Sequence, residues 1–107
     1  MTLTPKGTGR VTINGGGKIQ NLAEKITIAA TGTTGTVNYD VVTQAVLYHT
    51  TNAAGNFTVN IRGDGSTTLN NIMDTNESIT IAFLVTQGST PYYNSAVTTR
   101  WIVTGKL

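Results

Sequence analysis

Phe57-Thr58-Val59-Asn60-Ile61-Arg62 alternates apolar and polar side chains for three full cycles. That is the period of an extended strand with one face buried and one in water. Val11-Thr12-Ile13 and Ile26-Thr27-Ile28 each set two apolar groups on one face, and Ser78 to Val85 aligns Ile79, Ile81, Phe83 and Val85. Between these segments stand Asn14-Gly15-Gly16-Gly17, Thr31-Gly32-Thr33-Thr34-Gly35, Asn52-Ala53-Ala54-Gly55-Asn56, Gly63-Asp64-Gly65-Ser66 and Gln87-Gly88-Ser89-Thr90-Pro91. Such residues tolerate positive φ or favour turns. Short strands so punctuated predict an all-β domain, an antiparallel β-sandwich of jelly-roll type. Thr and Asn form helices poorly, so at most one short helical turn is expected. Its place is Leu69, Ile72 and Met73, spaced i, i+3 and i+4 behind the capping candidates Thr67 and Thr68.

Three segments break the alternation. Ala45-Val46-Leu47-Tyr48, Ala82-Phe83-Leu84-Val85 and Trp101-Ile102-Val103 are apolar on both faces, so both faces need cover. Either loops and a helical turn lie over the outer face of central strands, or Leu47, Leu84 and Ile102 meet another subunit. Alternation across Val46 to His49 sets Val46 and Tyr48 on one face and Leu47 and His49 on the other. No repeat of fixed period is visible. Residues 1–9 read as an irregular lead-in or the end of a linker, and residues 10–107 as a single β-sandwich domain.

With 107 residues, the chain is long enough for one core without crosslinks. Only 11% of residues are charged, while Thr occurs 22 times and Asn 10 times, so neutral polar groups do the solvating. The net charge is +2, and the cations Lys6, Arg10, Lys18, Lys25, Arg62, Arg100 and Lys106 are scattered singly rather than clustered. That is no nucleic-acid signature. No apolar run approaches the ~20 residues of a membrane helix, so no membrane insertion is expected. The absence of Cys excludes disulfides, thiolate metal sites and a Cys nucleophile.

Catalytic raw material is sparse. His49 is the one histidine, and at a strand end it reads as a surface or interface residue rather than a general base. Ser66, Ser78, Ser89 and Ser95 all sit in or beside turns, none in a nucleophile elbow. Of the carboxylates, only Asp74 and Glu77 share a segment, and spacing argues no acid-base pair. Asp74-Thr75-Asn76-Glu77-Ser78 opens like a calcium loop but has Ile79 where the sharp turn requires Gly, and Val85 where a bidentate Glu belongs. Gly15-Gly16-Gly17-Lys18 lacks the earlier Gly and the following hydroxyl of a phosphate loop. Arg62-Gly63-Asp64 is a tripeptide used by some adhesion ligands, and in a turn it could be displayed. No metal, cofactor or enzymatic activity is expected.

Aromatic residues remain as binding candidates. Tyr92 and Tyr93 follow Pro91 in a turn, and neighbours in an extended chain point opposite ways, so at least one is displayed. With Trp101, they offer flat apolar faces with polar tips, suited to stacking on a sugar ring or anchoring an interface.

The runs Arg10-Val11-Thr12-Ile13-Asn14, Lys18 to Ile26, Gly35 to Tyr48, Asn60-Ile61-Arg62-Gly63, Ile79 to Thr90 and Tyr92 to Ala96 together resemble a domain of structural and tail-fibre-like proteins of marine tailed phages, of cyanophage and pelagiphage type. The likeness spans about four fifths of the chain and names no reaction. It implies a non-enzymatic virion component, typically the end of a longer polypeptide, assembled in the host cytoplasm and then extracellular on the particle. The implied partners are sister copies, with a trimer favoured, other virion proteins and, at a fibre tip, a host-surface glycan. Residues 97–107 depart from the family pattern, so the sheet could be truncated there and completed by association. A surface of hydroxyls and amides suits marine salt, where surface ion pairs are screened.

Overall fold

A computed structural model describes residues 1–7 and 9–97; the expected strand around Trp101 and Ile102 lies outside them. Six strands and one helical turn follow in order: β1 (Ile26–Ala29), β2 (Gly35–Asp40), β3 (Val46–Asn52), β4 (Phe57–Arg62), α1 (Leu69–Ile72), β5 (Ala82–Thr86) and β6 (Asn94–Val97). The described residues are all-β apart from α1. Among the described residues, no helix is long and apolar enough to cross a membrane.

The strands alternate between two sheets, in orders β1-β3-β5 and β2-β4-β6. Every ladder is parallel. The described residues therefore wind as three coils of a parallel β-solenoid, each coil giving one strand to each sheet, and the antiparallel jelly-roll expectation is corrected. Period two is the same in parallel and antiparallel strands, so alternation could not separate the two. What turns the chain here is a corner leading to the opposite sheet, where turns of an antiparallel sandwich were expected. The corners stack as the strands do: Ala54 N–H and Gly55 N–H donate to Thr33 O at 2.9 and 3.2 Å, and Val41 N–H donates to Arg62 O at 2.9 Å. Gly32 has backbone as its neighbour, because a Cβ there would collide with Asn52 O of the next coil. Gly35, at φ +59°, takes the left-handed turn into β2.

The core lies between the two sheets. Tyr39, Leu47, Phe57 and Val59 are buried, with Ala29, Val37, Ile61, Phe83 and Val85 packed around them. Phe57 and Phe83 meet edge to face across the sandwich, with centroids 5.9 Å apart. Burial of each large side chain contributes roughly 1.5–3 kcal/mol. The corner between β2 and β3 is organised by two polar side chains. Tyr39 Oη–H donates to the carbonyl of Ala45. Buried Gln44 donates Nε2–H to Asp40 O at 2.8 Å and accepts from Thr27 Oγ1 at 3.0 Å.

The helical turn forms where it was expected. Thr68 is its cap, accepting from Asn71 N–H at 3.3 Å, and Leu69 and Met73 are buried beneath it. Two strand expectations are revised. Val11-Thr12-Ile13 is exposed and forms no strand, and the Ser78–Val85 segment becomes strand only at Ala82, leaving Ile79 outside.

Candidate functional site

Register decides which side chains share a surface. In the first sheet, Thr27, Leu47 and Phe83 align, as do Ala29, His49 and Val85, and these two rows point into the core. The alternate rows, Ile26-Val46-Ala82 and Ile28-Tyr48-Leu84, form the outer face. All six are apolar or aromatic, and Ile26, Ile28 and Leu84 are 47, 56 and 46% exposed. The second sheet does the reverse. Its outer rows are Thr36-Thr58-Ala96, Asn38-Asn60 and Asp40-Arg62. Asn60 Nδ2–H donates to Asn38 Oδ1 at 3.0 Å, and Arg62 grips Asp40 through Nε at 2.6 Å and Nη2 at 3.4 Å. One outer face is thus built for water, and on the other the Tyr48 hydroxyl is the one polar side-chain group among these six residues.

The interface residues expected from sequence separate on this geometry. Leu84 stands on the outer apolar face. Leu47 does not: at 7% exposure it lies in the core, opposite Phe83. The pairing of faces along β3 was read correctly, but Val46 and Tyr48 are its outward residues. Ile102 lies outside the described residues, as does Trp101. Ile26 and Ile28 were missed, because alternation sets them on one face and a sheet's apolar face is expected inside. Here the inward face of β1 carries Thr27 and Ala29. The available signal was that β3 and β5 are apolar on both sides.

His49 is buried rather than on the surface. Its Nδ1 lies 2.8 Å from Thr31 O and its ring meets Phe83 edge to face at 5.7 Å, so the imidazole ties a corner to the core. No carboxylate is among these neighbours. Glu77 Oε1 accepts from Asp74 N–H and from Arg10, at 2.7 and 2.8 Å, closing a turn in which Asn76 takes φ 68°. Among the described residues, no three metal-ligating side chains gather.

Arg62-Gly63-Asp64 is not displayed. Arg62 is bound to Asp40, and the hydrogen bond to that carboxylate raises the guanidinium pKa further. Gly63 is buried. Asp64 accepts from Ser66 N–H at 2.8 Å, and this bond holds its carboxyl below the usual range. The adjoining groove of about 390 Å³ is lined by these two side chains with Asn60, Ser66 and Thr68. Both of its charges are already engaged, leaving neither a free base nor a free acid.

The tyrosine loop is braced by amides. Gln87 bonds both the N–H and the C=O of Tyr92, at 3.1 and 2.7 Å, while Tyr93 N–H donates to Asn56 Oδ1 at 3.1 Å. Tyr93 is 65% exposed. Tyr92 is half-buried and lines a shallow polar groove of about 230 Å³ with Asn52, Ser89 and Thr90.

Compared with protein-family models, curated proteins and solved structures, the chain matches none.

Proposed function

We propose that the chain is a non-enzymatic structural domain of a phage particle, a tail-fibre, decoration or similar virion component that associates with copies of itself. The observation that carries the assembly part is the contrast between the two outer faces. A sheet face made of Ile26, Ile28, Val46, Tyr48, Ala82 and Leu84 gains from leaving water, whereas the ladders of Thr, Asn and the Asp40–Arg62 pair gain nothing. Burying Leu84 and Ile28 on a partner contributes about 25 cal/mol for each Å² of apolar surface removed from water. The phage setting rests on the sequence resemblance, which also favours a trimer. It implies a place in the virion, with assembly in the host cytoplasm and then an extracellular life on the particle.

The test is Leu84→Glu, at an exposed position where the fold survives the change. Light scattering after size exclusion is expected to show oligomeric wild type and monomeric variant, with unchanged far-UV circular dichroism. A wild type that is already a monomer at micromolar concentration overturns the assembly reading.

A second reading is a carbohydrate-binding module at a fibre tip, favoured by Tyr93, a displayed ring on a braced backbone, and by the polar groove beside Tyr92. Binding on a glycan array that disappears in the Tyr92→Ala, Tyr93→Ala double variant supports it. No binding by wild type dismisses it.

A further inference from the structure

Residues 11–24 run from the Arg10–Glu77 ion pair, 2.8 Å between Nη2 and Oε1, to the start of the first sheet at Ile26. Every residue of the span is exposed, and it holds neither helix nor strand. The chain bends at Gly15, between Asn14 and Gly16. Gly15 takes φ +120°, where L side chains rarely go, and a Cβ built on it or on Gly16 meets nothing within 4 Å. Among the described residues, neither the Asn14 side-chain amide nor the Gly15 N–H has a hydrogen-bond partner.

That combination carries a reaction of its own. The backbone nitrogen after an asparagine can attack the side-chain carbonyl carbon and close a succinimide ring, one reason asparagine is thermolabile. A side chain on the following residue crowds that nitrogen and narrows its backbone angles, and a backbone hydrogen bond holds it away. Glycine in open space does neither.

Other asparagines fail one condition or another. Asn52 is followed by Ala53, whose N–H donates to Thr86 O at 2.9 Å. After Asn56 comes buried Phe57, its N–H bonded to Tyr93 O at 3.1 Å. Asn76 precedes Glu77, whose N–H donates to Asp74 O at 3.2 Å. Asn21 is exposed in the same span as Asn14 but is followed by Leu22. Of the 10 asparagines, Asn14 is the one that precedes a glycine.

We infer that Asn14 is a site of spontaneous covalent modification, converted through a succinimide to isoaspartate and aspartate. The Gly15 nitrogen bonds to Asn14 Cγ, the Cγ–Nδ2 bond breaks, and the side-chain nitrogen leaves as ammonia with the proton that Gly15 gave up. Water then opens the ring. Attack at the Asn14 backbone carbonyl leaves the chain running through Cγ, which is isoaspartate, and attack at Cγ restores the ordinary backbone as aspartate. No electrons are exchanged, and water is the co-reactant. Each event puts a carboxylate into residues 11–23, where Lys18 is the single charge, and lowers the net charge from +2 by one unit. The bend lies outside both sheets, so the fold survives.

The test incubates the full chain in heavy-oxygen water at mildly alkaline pH, once folded and once in urea. Trypsin cuts after Arg10, Lys18 and Lys25, which separates Asn14 from Asn21 for mass spectrometry. Isoaspartate is counted by enzymatic methylation with an isoaspartyl methyltransferase. Asn14 is expected to gain one heavy oxygen at the same rate in both states, with isoaspartate the larger product. Asn21 keeps its amide over the same period, and far-UV circular dichroism of the folded sample is unchanged. Asn14→Gln loses the product, and Gly15→Leu slows it to the level of Asn21. An Asn14 that converts in urea but keeps its amide in the folded chain overturns the inference, because the bend is then held or covered. Aspartate formed without isoaspartate overturns it too, since no ring was made. So does an Asn21 that converts as fast as Asn14.

Discussion

Leu47 and Leu84 sit on adjacent strands one register step apart and face opposite ways, Leu47 opposite Phe83 in the core and Leu84 beside Tyr48 on the outer surface. Their truncations are therefore expected to differ. Leu47→Ala leaves a cavity and costs about 2–5 kcal/mol. Leu84→Ala, at 46% exposure, costs under about 1 kcal/mol in the dissociated protomer. Urea unfolding of each variant under dissociating, dilute conditions checks this. Equal losses contradict the register.

Tyr39 makes stability sensitive to alkali. Burial raises its phenol pKa above the ordinary 10, so the folded state prefers the neutral form. The contribution is complete below pH 10 and is lost as pH climbs through the raised folded-state value. Tyr39→Phe is expected to lose about 1 kcal/mol at neutral pH, with the bond to the Ala45 carbonyl, and to flatten the decline above pH 10. Thermal melts from pH 8 upward read both effects.

Thr33 is fully buried, and its Oγ1 has no hydrogen-bond partner. An orphaned buried hydroxyl costs about 1–3 kcal/mol. Thr33→Val removes the orphan at similar volume and is expected to raise the melting temperature. The backbone carbonyl, which holds Ala54 and Gly55, is untouched. A variant less stable than wild type contradicts this reading of the corner.

Gly32 is fixed by the next coil. A methyl group there runs into Asn52 O, which is backbone and cannot swing away. Gly32→Ala is expected to cost about 1–3 kcal/mol, the usual penalty of overpacking. Gly16→Ala, in open space, stays within about 0.5 kcal/mol. Denaturant midpoints of the two variants decide it.

The strands of the central coils were legible because alternation in Phe57–Arg62 and the double-faced runs at Val46 and Phe83 are local signals. So was the turn at Leu69–Ile72, whose spacing and Thr cap lie within a few residues. Strand direction was not legible. Parallel neighbours usually require a long, helical crossover, whereas here each crossover is a strand of the other sheet. The repeat was hidden too: Ile26 to Val46 is about 20 residues, but Val46 to Ala82 is about 36, chiefly because the corner at residues 63–81 is much longer than the matching one at 41–45. The candidate face was half visible. Leu84 could be placed from its own strand, but Leu47 was misplaced because both sides of β3 are apolar and only its partners reveal which is inside. Ile26 and Ile28 looked like ordinary core residues for the same reason.

The stacking of coils separates two dimensions that most folds keep coupled. Height grows by one strand spacing, about 4.8 Å, for each circuit, while anything inserted at a corner, such as the helical turn and its flanking loops, protrudes sideways and leaves the height unchanged. A protein built this way can be lengthened by duplicating circuits and ornamented at its corners, each without disturbing the other.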